Sequence, residues 1–221
     1  MKRISKTVSN GLSKLSKEQA LQWAQQFDEI IFLESNKDTQ AEQEKYGEVE
    51  AILAIGAHDS LSADSKGAFD KLKNFRKNHK DFLFGYLSYD LKNDTEALSS
   101  KNPDHLDFPE LYFFQPKKLF FIKGNTVKIK YLNAVHDVLE EDLLAIEKSN
   151  VHYVKQEINP VKIKLRIHKD EYFKKLDLML AHIFRGDIYE ANFCQEFYAE
   201  DALINPLETY TKLNAISKTP F

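Results

Sequence analysis

Residues 110–131 read ELYFFQPKKLFFIKGNTVKIKY. Two aromatic runs, Glu110–Phe114 and Lys118–Lys123, have strand composition. Gly124-Asn125 is a two-residue turn signal, and Val127–Tyr131 returns as the partner strand of a hairpin. Further strands are expected upstream at Ile30–Leu33, Ala51–Ala57 and Phe82–Tyr89. Helices are interspersed among them. Ser16-Lys17-Glu18-Gln19 is a capping box, followed by Leu21, Trp23, Ala24 and Phe27 on one helical stripe. Residues 66–79 carry Phe69, Leu72 and Phe75 among lysines, as a surface helix does. Residues 137–148 are amphipathic, with Val138, Leu139, Leu143 and Ile146 inside. Polar connections are expected at 37–48 and 92–107. Strand and helix do not alternate regularly, so a doubly wound parallel sheet is disfavoured and the class is α+β.

Residues 149–160 read as a linker, which divides the chain into a domain at 1–155 and a second block at 161–221. In that block Val161, Ile163, Leu165 and Ile167 alternate with Lys162, Lys164, Arg166 and His168, the pattern of a half-buried strand. A helix is predicted over 169–184, with Phe173, Leu176, Leu180 and Ile183 on one face and Gly186 as its stop. Residues 187–197 are read as extended and 206–216 as a last helix.

The chain has 221 residues, 43% apolar and 29% charged, which is globular composition. A chain of this size buries roughly 70% of its unfolded surface and needs no metal or disulfide to form a core. The net charge of −3 argues against nucleic acid or an anionic membrane as the main partner. A single cysteine, Cys194, excludes a disulfide framework and a multi-cysteine zinc site. No run approaches a membrane-spanning length and no signal peptide follows the basic start, so the expected location is the cytoplasm.

No ready-made catalytic constellation is visible. The seven histidines offer no i, i+4 pair, and neither HExxH nor GxSxG occurs, so no catalytic and no metal-binding residue is assigned. Cys194 has no neighbouring cation to activate it and is read as an inert thiol of a core or wall. Three segments are richer. Leu33-Glu34-Ser35-Asn36 ends a buried strand with a carboxylate, a hydroxyl and an amide, a set able to grip an amino acid or simply to cap a turn. Phe84-Gly85-Tyr86-Leu87-Ser88-Tyr89-Asp90 places a glycine inside a strand, where a ligand or another backbone can come close. Gly186–Phe197 (GDIYEANFCQEF) sorts Tyr189, Ala191, Phe193 and Phe197 onto one face and Glu190, Asn192, Cys194 and Glu196 onto the other.

Together these segments resemble component I of the chorismate-utilising enzymes, the anthranilate synthase and aminodeoxychorismate (para-aminobenzoate) synthase family. Phe32-Leu33-Glu34-Ser35 is similar to its LLES motif, residues 85–90 to its GYxxYD segment and residues 186–197 to GDIYQVNLSQRF. Ser217–Phe221 resembles the start of NPSPY. FLESN, GYLSYDLKND and Phe108–Phe114 are closest to the aminodeoxychorismate branch. Glu196, where many members have arginine, and Lys218-Thr219 depart from the pattern.

The resemblance implies two facing antiparallel sheets with outer helices. It implies amination of chorismate with glutamine-derived ammonia for folate synthesis, a transferase-type reaction needing a glutamine amidotransferase partner and Mg²⁺. It also implies that the metal ligands and the PIxGT region lie beyond the segments seen here. The expectation is therefore the N-terminal half of such an enzyme, without Mg²⁺ or turnover of its own and with apolar surface exposed near Phe193 or Phe197. A tryptophan-like effector pocket carries over to Leu33, Glu34, Ser35, Pro220 and Phe221. Anthranilate synthase component I, in tryptophan synthesis, and a non-catalytic effector-binding or docking module are the alternatives.

Overall fold

In a computed structural model of the chain, which describes residues 2–9, 16–35, 49–96, 98–99, 103–150 and 161–217, the 110–131 stretch is the spine of an antiparallel sheet. The two aromatic runs are one strand. Leu111–Lys123 (β5) runs unbroken for 13 residues. Pro116, which cannot donate to a ladder, lies opposite Ala57 of Ala51–Ala63 (β3), where the register shifts between Ala57 and Asp59. Gly56 beside it takes a left-handed φ of 66°. The bulge thus absorbs the proline and lets both strands continue.

Six strands form the sheet of the first unit. Arg3–Ser9 (β1), Thr126–Leu132 (β6), β5, β3 and Ile30–Glu34 (β2) lie in that order, and Phe84–Leu87 (β4) pairs with the first half of β5. The Gly124-Asn125 hairpin is as expected, with Lys123 opposite Thr126 and Gly124 at φ 50°. Phe120 is flanked by Leu53 and Ile129, and Ile122 by Ala51 and Val127, all buried. Trp23 of Lys17–Ala24 (α1) meets Phe120 edge-on at 6.1 Å. Ala68–Asn78 (α2) adds Ala68 to a cluster with Ala63, Leu91 and Leu111, and Leu139–Lys148 (α3) contributes buried Leu139 and Ile146.

Two polar networks cross this core. Lys118, 7% exposed, donates to Asp142 of α3 at 2.5 Å, and the Tyr131 hydroxyl donates to the same carboxylate oxygen at 2.8 Å. Burial and the Asp142 charge push the Tyr131 phenol far above its usual range. In the second network Arg3 grips both oxygens of Asp81 at 2.8 and 2.9 Å and the Pro116 carbonyl at 2.6 Å, and Gln115 adds a donor to Asp81 at 2.7 Å. Burial pushes the Asp81 carboxyl up, but donors from Arg3, Gln115 and the Phe82 amide outweigh it and hold it below the ordinary 3.8. A depressed folded value means that the ionised form stabilises the fold above about pH 4, and that this contribution disappears as pH falls through the folded value. Asp81→Asn is expected to flatten that acid limb and to cost about 2 kcal/mol at neutral pH, read from urea melts. An unchanged limb would exclude Asp81 as its source.

The chain divides into two compact units, Met1–His152 with Lys212–Phe221, and Tyr153–Thr211. In the second, the strand predicted over 161–167 contracts to Lys164–Leu165 (β7), paired only with Phe197–Tyr198 (β8). Residues 187–196 have no regular structure. Alternation alone did not make strands here, because the described residues supply no further ladder to hold them. Lys169–Arg185 (α4) ends at Gly186, which takes the left-handed conformation at φ 84°. Pro206–Ile216 (α5) starts where the Asn205 side chain accepts the Glu208 amide at 3.0 Å. Neither helix has a buried residue. Of the stripe predicted on α4, Leu176 and Ile183 are half-buried while Phe173 is exposed. The class is α+β with antiparallel sheets. Among the described residues no helix is long and apolar enough to cross a membrane.

Candidate functional site

The end of β2 gathers the residues singled out for amino-acid binding. Edge position gives β2 one ladder, to β3, and the Ser35 amide extends it by donating to the Glu50 carbonyl at 2.8 Å. Period two sends successive side chains to opposite faces. Leu33 is 51% exposed. Glu34, on the other face, accepts Lys17 Nζ at 2.5 Å and Asn214 Nδ2 at 3.3 Å. Lys17 is placed by the capping box: Ser16 Oγ accepts the Gln19 amide at 3.0 Å and Gln19 Oε1 accepts the Ser16 amide at 3.2 Å, which fixes the first turn of α1. The ammonium expected at Glu34 is therefore, in this structure, one the chain supplies itself. Ser35 Oγ is buried and has no hydrogen-bond partner among the described residues. Pro220 and Phe221 lie outside the described residues.

Lys17 and Asn214 escaped the sequence reading. A helix-start lysine and an amide 180 positions from Glu34 have no local signal that ties them to it. Only the capping box hinted that the Lys17 position was fixed.

The GYLSYD segment is mainly architectural. A Cβ on Gly85 would sit 1.9 Å from the Tyr112 carbonyl oxygen and 2.6 Å from Phe113 Cα, so the close neighbour is the β5 backbone rather than a ligand. Ser88 donates its hydroxyl to Glu110. Tyr89–Asp94 is a 3₁₀ turn that ends at Asp94. That carboxylate accepts the amides of Gly67 at 2.6 Å and Phe69 at 3.0 Å, capping α2 from a distant part of the chain. The Phe69 and Gly67 amides hold the Asp94 carboxyl below its ordinary range, against a smaller opposing effect of desolvation.

The GDIYEANFCQEF segment begins with Gly186 as helix cap. Asp187 accepts Arg185 and His182, which hold its carboxyl below the ordinary range, Arg185 most strongly. Phe193 lies against Tyr172 at 4.9 Å, and Phe197 is 65% exposed. Cys194 is exposed, not a wall or core thiol, because residues around it do not form the strand that would have turned it inward. Glu196 pairs with both Arg166 Nε and Nη2 at 2.9 Å, and that guanidinium lies 3.8 Å over the Tyr198 ring. The departure from arginine at this position is thus matched by an arginine on the neighbouring segment. Among the described residues no group of three His, Cys, Asp or Glu could hold a metal ion.

Residues 15–221 match the family model described as chorismate binding enzyme. An anthranilate synthase component I-like protein of Synechocystis sp. is 24% identical over 139 residues, 62% of this chain and 28% of that protein. The solved structure of the menaquinone-specific isochorismate synthase of Escherichia coli aligns with a TM-score of 0.47 and 11% identity, covering 85% of this chain and 39% of that one. The chain therefore spans less than half the length of either.

Proposed function

The chain belongs to the chorismate binding enzyme family, and from that footing we propose that it is the N-terminal portion of aminodeoxychorismate synthase component I. The complete enzyme would aminate chorismate, in the cytoplasm, with ammonia delivered by a glutamine amidotransferase subunit. FLESN, GYLSYDLKND and FPELYFF support this branch. In the reading proposed here, this portion supplies scaffold and an effector site. Mg²⁺ belongs to the complete enzyme. The described residues do not fit it, and no step through it is assigned to them.

The observation that carries the effector reading is the buried Ser35 hydroxyl next to Glu34, which finds no hydrogen-bond partner among the described residues. A buried hydroxyl without a partner costs about 1–3 kcal/mol, which an incoming carboxylate would recover. The amino group of the same ligand would reach around the edge of β2 to share Glu34 with Lys17, and Leu33, Pro220 and Phe221 would flank its apolar ring. Calorimetry with L-tryptophan tests this. Ser35→Ala and Glu34→Gln are each expected to weaken binding by about tenfold. No binding to the wild type, or unchanged affinity in both variants, would overturn the effector site.

The second reading is anthranilate synthase component I, on the description of the Synechocystis relative. The complete component with its glutaminase and chorismate decides between them by product: aminodeoxychorismate supports the first and anthranilate the second. Comparable turnover by this chain alone with chorismate and ammonium would remove the premise that catalysis lies elsewhere.

A further inference from the structure

A second cluster lies on the sheet, among residues that the effector reading does not use. On β6 the core takes Val127, Ile129 and Tyr131, so period two turns Lys128 and Lys130 to the opposite face. Lys128 lies across from Thr7 of β1 and from Phe121 of β5, and Lys123 across from Thr126. These residues wall a cleft of about 620 Å³. That is within the roughly 300–1,000 Å³ of small-molecule sites. Its aromatic floor is formed by Phe121, 5.4 Å from Phe82. Lys130 Nζ stands 4.9 Å from the Phe82 centroid and 5.3 Å from that of Phe121, held over the rings rather than extended into solvent.

Among the described residues no carboxylate forms an ion pair with Lys123, Lys128 or Lys130, although Lys6, Lys17 and Lys118 of the same unit all have one. In a chain of net charge −3, three ammoniums in one cleft with no carboxylate partner among the described residues form a local positive field that a concave wall focuses. A monovalent ion would leave most of that charge unmatched. The geometry points to a binding site for a small multivalent anion with an apolar body, a polycarboxylate or a phosphate ester. Its charges meet the Lys123, Lys128 and Lys130 ammoniums and the Thr7 and Thr126 hydroxyls, and its apolar part meets Phe121. Leu33, Glu34 and Ser35 do not line this cleft, so the site stands apart from the effector reading.

The test is isothermal titration of the chain with citrate, pyrophosphate and AMP at one fixed ionic strength. Saturable one-to-one binding of at least one probe is expected. The double variant Lys123→Gln/Lys128→Gln should weaken it by about tenfold or more, since it removes two of the three charges. Lys73→Gln/Lys77→Gln on α2, the same charge change outside the cleft, should alter it by less than about twofold. Tighter binding of citrate assigns a carboxylate ligand, and tighter binding of AMP or pyrophosphate a phosphate. Equal weakening by both double variants would show diffuse attraction and overturn the site. So would the absence of saturable heat with all three probes at millimolar concentration. All four substituted lysines are exposed, and far-UV circular dichroism checks that each variant stays folded.

Discussion

Replacing Asp142 with alanine is expected to lower the unfolding free energy by about 3–5 kcal/mol, the cost of leaving a buried charge without its partner. Lys118 would be that charge. Its side chain is 9% exposed and its ammonium is surrounded by the rings of Phe27, Trp23 and Tyr131 at 4.7, 5.2 and 5.5 Å. Those ring faces attract a cation, but they replace neither the carboxylate nor water. The Tyr131 hydroxyl would lose its acceptor in the same step. The double variant Lys118→Met/Asp142→Leu should recover the part of the loss owed to the lone charge, because it removes both charges and keeps the volume, and should leave the cost of the Tyr131 hydroxyl without its acceptor. Urea denaturation of the two variants beside the wild type is the measurement. A cost below about 1 kcal/mol for Asp142→Ala would mean that the pair behaves as an exposed one.

The same network shows how far local sequence reaches. In sequence Lys118 is only the start of an aromatic run, and Asp142 is only one polar residue of the amphipathic stretch 137–148. Their pairing joins residues 24 positions apart on two elements, which no periodicity encodes. What was legible is what short-range chemistry decides: the Ser16 capping box, the Gly124-Asn125 hairpin, the Gly186 stop and the bounds of α5. Strand β1 carries no sequence signal, because Ile4 and Val8 are its only apolar side chains and Ile4 is 38% exposed. It is held by its ladder to β6, from Arg3 opposite Leu132 to Ser9 opposite Thr126, and not by a buried face. The opposite error occurred at 161–167 and 187–197, where alternation promised strands that find only a two-residue partner. At the candidate site the motif residues could be picked out, but the alternation that separates Leu33 from Glu34, and the Lys17 ammonium, needed the fold.

Gly85→Ala is expected to destabilise the first unit by about 3 kcal/mol, near the upper end of overpacking costs. The effect must come from space and not from backbone preference, because Gly85 is not among the glycines with positive φ. The added Cβ would meet the Tyr112 carbonyl oxygen at 1.9 Å and Phe113 Cα at 2.6 Å, and both are backbone atoms of β5 that cannot turn aside as a side-chain tip can. Relief requires β4 to move off β5. That loosens four paired positions from Phe84 opposite Phe114 to Leu87 opposite Leu111, withdraws Phe84 from its cluster with Ala54, Phe114 and Leu119, and separates Tyr86 from Tyr112. Hydrogen exchange should show the amides of Phe84–Leu87 losing protection before those of β3 or β6. Gly124→Ala is the contrasting variant: its backbone is left-handed at φ 50°, but a Cβ there meets nothing within 4 Å. Its cost should be the backbone preference alone, about 1–2 kcal/mol. If Gly85→Ala cost no more than Gly124→Ala, or left the β4 amides protected, the close approach of β4 and β5 would not be what this glycine serves.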